Sequence, residues 1–396
     1  MKKEITLLIF FFFASSIFAQ SINFNQGSIK QKEYLQKIPY LKVKGLPVVP
    51  VTIEGKTYNF LFDTGASPFA ISDKLFNELN LPLIDSVNVS GSSGESNKMR
   101  VITLPVLQLQ EITFLDMPGV VSHEESELFE CLEIDGIIGS NMLRNSVVHF
   151  DEQNNHIIIT NNIKNLSLQS NVRQKMKLAP NHIPYVSVTI KNGKKRMSNY
   201  LVMFDSGQDA FLTYSISTHN QTKGSSVVDK IAESEGSFTF GIHGQHEQQM
   251  HLLLSIPEFV VNKASFYDVV TSTTHARFSR IGAKLLEYGT VTLDYKKKHF
   301  YFNPYENIDT SDLSKRTWDI RHTMQNNKLV VGIIWDKALE SQVNLGDEVL
   351  SINGIDFQSM GKCELFRFEI PDSEIRIFEL RDINTSEVKT VEINRY

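Results

Sequence analysis

The chain has 396 residues, 41% of them hydrophobic and 21% charged, and a net charge of −5 at pH 7. That length supports two or three domains, and a mildly acidic balance without a long block of one sign excludes a nucleic-acid partner. Two cysteines exclude a disulfide-dense scaffold, and neither they nor the histidines have metal-ligand spacing, so no metal and no cofactor is expected.

The first residues have the pattern of an export signal: Lys2 and Lys3, an apolar run from Leu7 to Phe13, and a small-residue tail ending at Ala19. Residues 1–19 are therefore expected to be removed near Ala19, with the protein exported to the periplasm or beyond the cell. No later stretch approaches the length of a membrane span, so no transmembrane segment is expected after signal removal. A polar lead-in, Ser21 to Lys37, follows.

From Tyr40 the chain reads as short strands. Pro47 to Ile53 and Tyr58 to Phe62 flank a Glu54-Gly55-Lys56 turn. Ser72 to Leu79 reads as a helix capped by Ser72, with Leu75, Phe76 and Leu79 on one face. Val87 to Ile102 reads as a hairpin with a Gly/Ser-rich tip, and Val106 to Val121 continues in strands. Ile137-Ile138-Gly139 leads into a short helix, and Val147 to Phe150 pairs with His156 to Thr160. The same order then recurs after a linker spanning Asn161 to Pro184. Val186 to Ile190 and Tyr200 to Phe204 repeat the first hairpin. Phe238 to Gly241 and Glu247 to Leu254 repeat the second, Arg280-Ile281-Gly282 mirrors Ile137-Ile138-Gly139, and Thr290 to Phe302 mirrors the closing hairpin. Asp63 precedes Gly139 by 76 residues and Asp205 precedes Gly282 by 77. A repeat of that length means two copies of a β domain. A third region follows the polar linker Asn307 to Asp312.

The repeat carries two matching pieces, Phe62-Asp63-Thr64-Gly65 and Phe204-Asp205-Ser206-Gly207. An Asp ending an apolar strand is costly to bury, so two in matching contexts need a reason. Two carboxyls meeting across a pseudo-twofold axis share one proton and activate a water. Gly65 and Gly207 let the backbone turn tightly, and the hydroxyls of Thr64 and Ser206 are placed to bond across the two loops. Ala66 has no hydroxyl to stabilise an ionised Asp63, which favours an activity optimum nearer neutral pH.

These loops, with the later Ile137-Ile138-Gly139, resemble aspartic proteases of the retropepsin and pepsin type over about Pro39 to Pro304. The resemblance implies an all-β fold of two tandem acid-protease barrel lobes around a cleft, at 38–162 and 178–305. It also implies catalytic Asp63 and Asp205, and flaps at Val87–Ile102 and Phe238–Leu254 with Gly91, Gly94, Gly241 and Gly244 at their tips. Two departures stand out. Gln208 follows the second motif, where it is placed to crowd the dyad or bond Asp205, and Arg280 stands where the first copy has an apolar residue, with room to point to solvent. The tail, 313–396, resembles a small α+β PDZ domain through Leu345-Gly346-Asp347-Glu348-Val349-Leu350-Ser351-Ile352-Asn353-Gly354. That resemblance implies binding of peptide C-termini, although Trp318 to Lys328 lacks the glycine of the family's carboxylate loop.

Cys131 and Cys363 fall in different expected domains, which gives a disulfide little support beyond an oxidising compartment. His243, His246 and His251 read as part of a solvated polar hairpin rather than a metal site. The sequence thus predicts an exported aspartic endopeptidase acting on peptide or protein substrates. The alternative is a catalytically inactive peptide-binding protein that keeps the cleft.

Overall fold

A computed structural model of the chain describes residues 22–91, 94–124, 126–168, 172–237, 240–245, 247–315 and 318–395. The expected signal at 1–19 lies outside these residues, as do Phe238 and His246. The protein is built mostly of strands. No helix among the described residues is long and apolar enough to cross a membrane.

Six strands form a closed ring in the order Ile112–Val121, Phe69–Ile71, Gly136–Ile138, Lys56–Phe62, Leu46–Ile53 and Ser96–Leu109, the last pairing back to the first. A second ring has the same order: Ala264–Thr274, Leu212–Ser215, Arg280–Gly282, Lys195–Asp205, Pro184–Asn192 and Gln249–Val261. Local chemistry explains the first ring's opening elements. Glu54 (φ 50°) and Gly55 (φ 78°) form the tight turn between two strands. Ser72 caps helix Asp73–Glu78 by accepting a hydrogen bond from the Leu75 amide.

The closing hairpins do not stay within their own copies. Val147–Asp151 pairs with Gly289–Asp294, so both copies share one sheet. That sheet also takes in Leu35–Pro39, part of the polar lead-in, and Arg173–Leu178, which the sequence places in a linker. The linker reading fails at Arg173–Leu178 because its polar side chains hide a two-sided backbone ladder. Phe62, Phe150, Phe204 and Phe300 form a continuous buried row, the first two contacts edge to face and the last tilted, with centroids 5.6–6.0 Å apart. Phe62 and Phe204 immediately precede the two Asp residues, so the row forms a rigid floor beneath both loops.

The C-terminal region forms a separate six-stranded sheet with its own core, including Ile320, Val331, Ile352, Phe378 and Ile393. Ile320–Gln325 and Lys328–Ile334 make a hairpin, with a register shift between Arg321 and His322, where the PDZ resemblance implies a carboxylate loop. Asp347 is fully buried, accepts from the amides of Asn344 and Ile383, and pairs with Lys389 at 2.8 Å. Asn353, at φ 50°, sits in a turn.

Cys131 and Cys363 are joined in a disulfide that spans 232 residues, a link to which the sequence alone lends little support. The bridge connects helix Glu127–Cys131 to helix Lys362–Arg367. Around it, Lys362 pairs with Glu130 at 2.6 Å, and Arg367 bonds both Glu133 and the Cys131 carbonyl. A second contact packs Ile333 and Trp335 against Leu253. There the Ser237 amide donates to the Gly332 carbonyl.

Candidate active site

Each Asp loop leaves a strand of its ring and is supported from below by a short parallel strand. Asp205 lies opposite Gly282 in that pairing, and the Asp63 amide donates to the Ile138 carbonyl. Glycine is required at the ends of these support strands. A Cβ on Gly139 would press on the Ala66 carbonyl and the Phe69 amide, and one on Gly282 would overlap the carbonyls of Ala210 and Gln208.

The loops then clasp each other. The Thr64 hydroxyl donates to the Phe204 carbonyl (2.8 Å) and accepts from the Ser206 amide (3.0 Å). The Ser206 hydroxyl donates to the Phe62 carbonyl (2.6 Å) and accepts from the Thr64 amide (3.0 Å). All four bonds are buried. Replacing Thr64 with Val strands a carbonyl and an amide at no change of shape, and should cost on the order of 2–6 kcal/mol, since each orphaned group costs about 1–3. Thermal unfolding of Thr64→Val beside Thr64→Ser, which keeps the hydroxyl, measures this; equal melting temperatures would show the clasp to be idle.

Above the clasp the carboxyls meet. Asp63 accepts from the amides of Gly65 (2.7 Å) and Ala66 (2.9 Å), and Asp205 from that of Gly207 (3.1 Å). Each loop glycine lies against the opposite carboxyl: a Cβ on Gly65 would overlap the Asp205 carboxyl carbon, and one on Gly207 that of Asp63. Burial, together with the charge and hydrogen bond of Asp205, holds the Asp63 carboxyl well above the ordinary carboxylate range; the two amides oppose this only in part. Beneath, Ser140 bonds the Thr64 carbonyl and the Tyr295 hydroxyl, and burial pushes that phenol up out of the titrating range.

Two sequence expectations change here. The Gln208 side chain does not bond the Asp205 carboxyl: its oxygen accepts from Thr213 (2.5 Å) and its nitrogen is buried with no partner among the described residues, while its backbone amide donates to the Asp205 carbonyl (3.2 Å). Arg280 does not point to solvent. Its side chain is 11% exposed and its Nε lies 3.7 Å from Asp205 Oδ2. Strand alternation explains it, since residue 280 shares a face with Gly282, which lies opposite Asp205.

The hairpins expected as flaps also differ in extent from that expectation. The first is Asp85–Ser90 with Ser96–Leu109; the second pairs Gln249–Val261 with Asp229–Gly236, not with the segment from Phe238. Asp229–Gly236 is too polar to read as a strand. Phe240–Gly241 and Gly244–Gln245 form a small separate hairpin at its tip. Gly94 (φ 96°) and Gly244 (φ 95°) take left-handed turns there. The tips touch: His243 Nε2 lies 2.9 Å from the Val89 carbonyl, and a Cβ on Gly91 would meet the His243 ring. His251 is buried, with Nδ1 3.0 Å from the Thr273 carbonyl. His243 and His251 are therefore packed rather than solvated, because each imidazole lies against a backbone carbonyl of a neighbouring strand; His246 lies outside the described residues.

A cavity of about 960 Å³ opens over the dyad. Asp63, Ile137, Asp205, Gln208 and the hairpin-tip residues Gly91, Gly94 and Gly241 line it. So do Arg321, Met324, Phe366 and Phe368 of the C-terminal region. Lys44 fixes that wall by donating to the Phe366 carbonyl (2.6 Å) with its ammonium over the Phe366 ring. His322 beside it is lowered to about 3 by burial, then by Arg321, Arg376 and Lys44, and lines the cavity as a neutral ring. The single cysteine pair was the one sequence signal that joined these regions.

The fold is aspartyl-protease-like. The family model described as aspartyl protease matches residues 49–142, from the strand before the first Asp loop through Gly139 and the helix after it. No curated protein matches the chain. Among solved structures, it is similar to basic 7S globulin from soybean, at 11% identity and a TM-score of 0.43, over 71% of this chain and 99% of that one. It is also similar to a retropepsin-like aspartic protease from Rickettsia conorii, at 16% identity and a TM-score of 0.25, over 34% of this chain and 95% of that one.

Proposed function

We propose that this chain is an exported aspartic endopeptidase whose catalytic residues are Asp63 and Asp205. The observation that carries the reading is the reciprocal construction of the two Asp loops, each clasping the other and each holding its glycine against the other's carboxyl. One carboxylate removes a proton from a water as its oxygen attacks the scissile carbonyl carbon, while the protonated partner donates to the carbonyl oxygen. Collapse of the resulting gem-diol breaks the C–N bond. The proton taken from water passes to the leaving amine, and a diol hydroxyl returns the other proton. No metal has a part in this scheme.

The two lobes correspond to 38–162 and 178–305, with a PDZ-like domain at 313–396 for substrate or partner peptides. The position of Phe366 and Phe368 in the cavity wall supports a role for that domain in substrate binding. The disulfide supports export to an oxidising compartment, periplasmic or extracellular, after cleavage near Ala19.

The test is incubation of the purified full chain, lacking its signal, with a diverse peptide library, followed by mass spectrometry. The expected result is cleavage at internal bonds, undiminished by a metal chelator. Retention of library peptides with none cleaved at any pH from 3 to 8 would replace this reading with that of a catalytically inactive peptide-binding protein.

A further inference from the structure

The two halves of the dyad are not equivalent. Ile137 and Arg280 occupy the same position in their respective support strands, two residues before the glycine, and both line the cavity. Ile137 is an apolar neighbour, 3% exposed. Arg280 brings a guanidinium to 3.7 Å from Asp205, with both side chains about nine-tenths buried. A buried cation at that distance favours the ionised form of the carboxyl beside it, and an apolar side chain offers no such help.

We propose that Arg280 is a positioning residue that keeps the dyad's negative charge on Asp205 and its proton on Asp63, making Asp205 the base and Asp63 the acid. This rests on the dyad acting as proposed above. In the addition step Asp205 then takes the water proton and Asp63 gives its own to the carbonyl oxygen. In the collapse step Asp205 passes its proton to the leaving nitrogen, and Asp63 recovers one from the diol. Both groups end as they began.

Other charged groups around the pair do not produce this asymmetry. Asp209 is exposed to solvent. Arg277 is exposed and lies over the Phe278 ring. Tyr185 is held neutral, since burial raises its phenol above the ordinary value. His251 and His275 are turned to the carbonyls of Thr273 and Met250, and Lys44 to that of Phe366. The direction for Asp63 agrees, since its burial and the neighbouring carboxylate both favour its protonated form.

The test is a 13C NMR titration of the full chain labelled at aspartate Cγ, with signals assigned through Asp63→Asn and Asp205→Asn, run beside the pH–rate profile. In the wild type the carboxylate signal between the dyad's two ionisations should belong to Asp205. In Arg280→Gln the dyad's first ionisation should move up by about 1–2 pH units, as expected on losing an opposite charge within 4–6 Å. The acid limb of the rate profile should move with it, and Arg280→Lys should restore both. A carboxylate signal on Asp63, or a first ionisation unmoved in Arg280→Gln, overturns the assignment. The titration needs no turnover, so a wild type that titrates as expected but cleaves nothing defeats the endopeptidase reading, and with it the acid and base roles, and leaves only the placement of charge on Asp205 and proton on Asp63 standing.

Discussion

Asp63→Asn should lower kcat for peptide hydrolysis about a thousandfold or more, with KM changed little and the fold retained. Asparagine is isosteric, and its side-chain oxygen can still accept from the Gly65 and Ala66 amides that hold Asp63. What it lacks is a proton to give to the carbonyl oxygen and a place to take one back. General acid–base groups contribute about 10²–10⁴ in rate, and a thousandfold loss is about 4 kcal/mol of barrier. The same substitution has a second readout, in stability. The native pKa of Asp63 is raised above its ordinary value of 3.8. Below that value both native and unfolded states are protonated. As pH rises from there to the native pKa, the unfolded chain has released a proton that the native state still holds. Stability therefore falls with rising pH across that window. Asparagine removes the dependence, so Asp63→Asn should melt at or above the wild-type temperature at pH 7 and show a flatter melting curve against pH between 4 and 8. Full activity in a clean preparation of Asp63→Asn would end the dyad assignment, and an unaltered pH slope would show that this carboxyl is not the perturbed one.

Cys131→Ser should destabilise the attachment of the C-terminal region by about 3–5 kcal/mol. The bridge closes a loop of 232 residues, near the upper end of the chain-entropy scale, although measured losses cluster at 2–5 kcal/mol. The ion pairs beside the bridge are largely exposed and offset little of the loss. The effect should reach the cleft, because helix Lys362–Arg367 carries Leu365 and Phe366 into the cavity wall. Calorimetry should show an early transition split from the main one, and peptide cleavage should show a several-fold higher KM with kcat within about twofold. Cys363→Ser and wild type under reductant should behave alike. A single unshifted transition in all three would mean the bridge contributes nothing to holding the unit in place.

Much of the site was legible because its chemistry is contiguous. Asp63 through Ala66 and Asp205 through Gly207 each specify strand end, carboxyl, cross-loop hydroxyl and glycine within a few residues, and the internal repeat said that the two pieces belong together. Arg280 was legible in principle, since counting back two residues from Gly282 puts it on the carboxyl face; judging it by polarity alone sent it to solvent. Asp229–Gly236 and Arg173–Leu178 were not legible as strands. Their pairing comes from neighbours distant in sequence, and their exposed faces carry Lys, Glu and Ser that mimic loops. Placement of the C-terminal region against the cleft depends on single contacts across hundreds of residues, such as Lys44 to Phe366, which leave no periodic trace.

The sheet shared by the two copies also governs the order in which the chain can fold. Val147–Asp151 finds its inner partner only in Gly289–Asp294, so that edge has no partner until the second copy has been made. Completing it closes a loop of roughly 140 residues, which slows folding and leaves a bare strand edge open to wrong partners. Until the second copy is made, the floor beneath the first Asp loop stays unfinished. The duplicated halves are thus one kinetic unit, and dissecting them at the repeat boundary should yield two aggregation-prone fragments rather than two folded lobes.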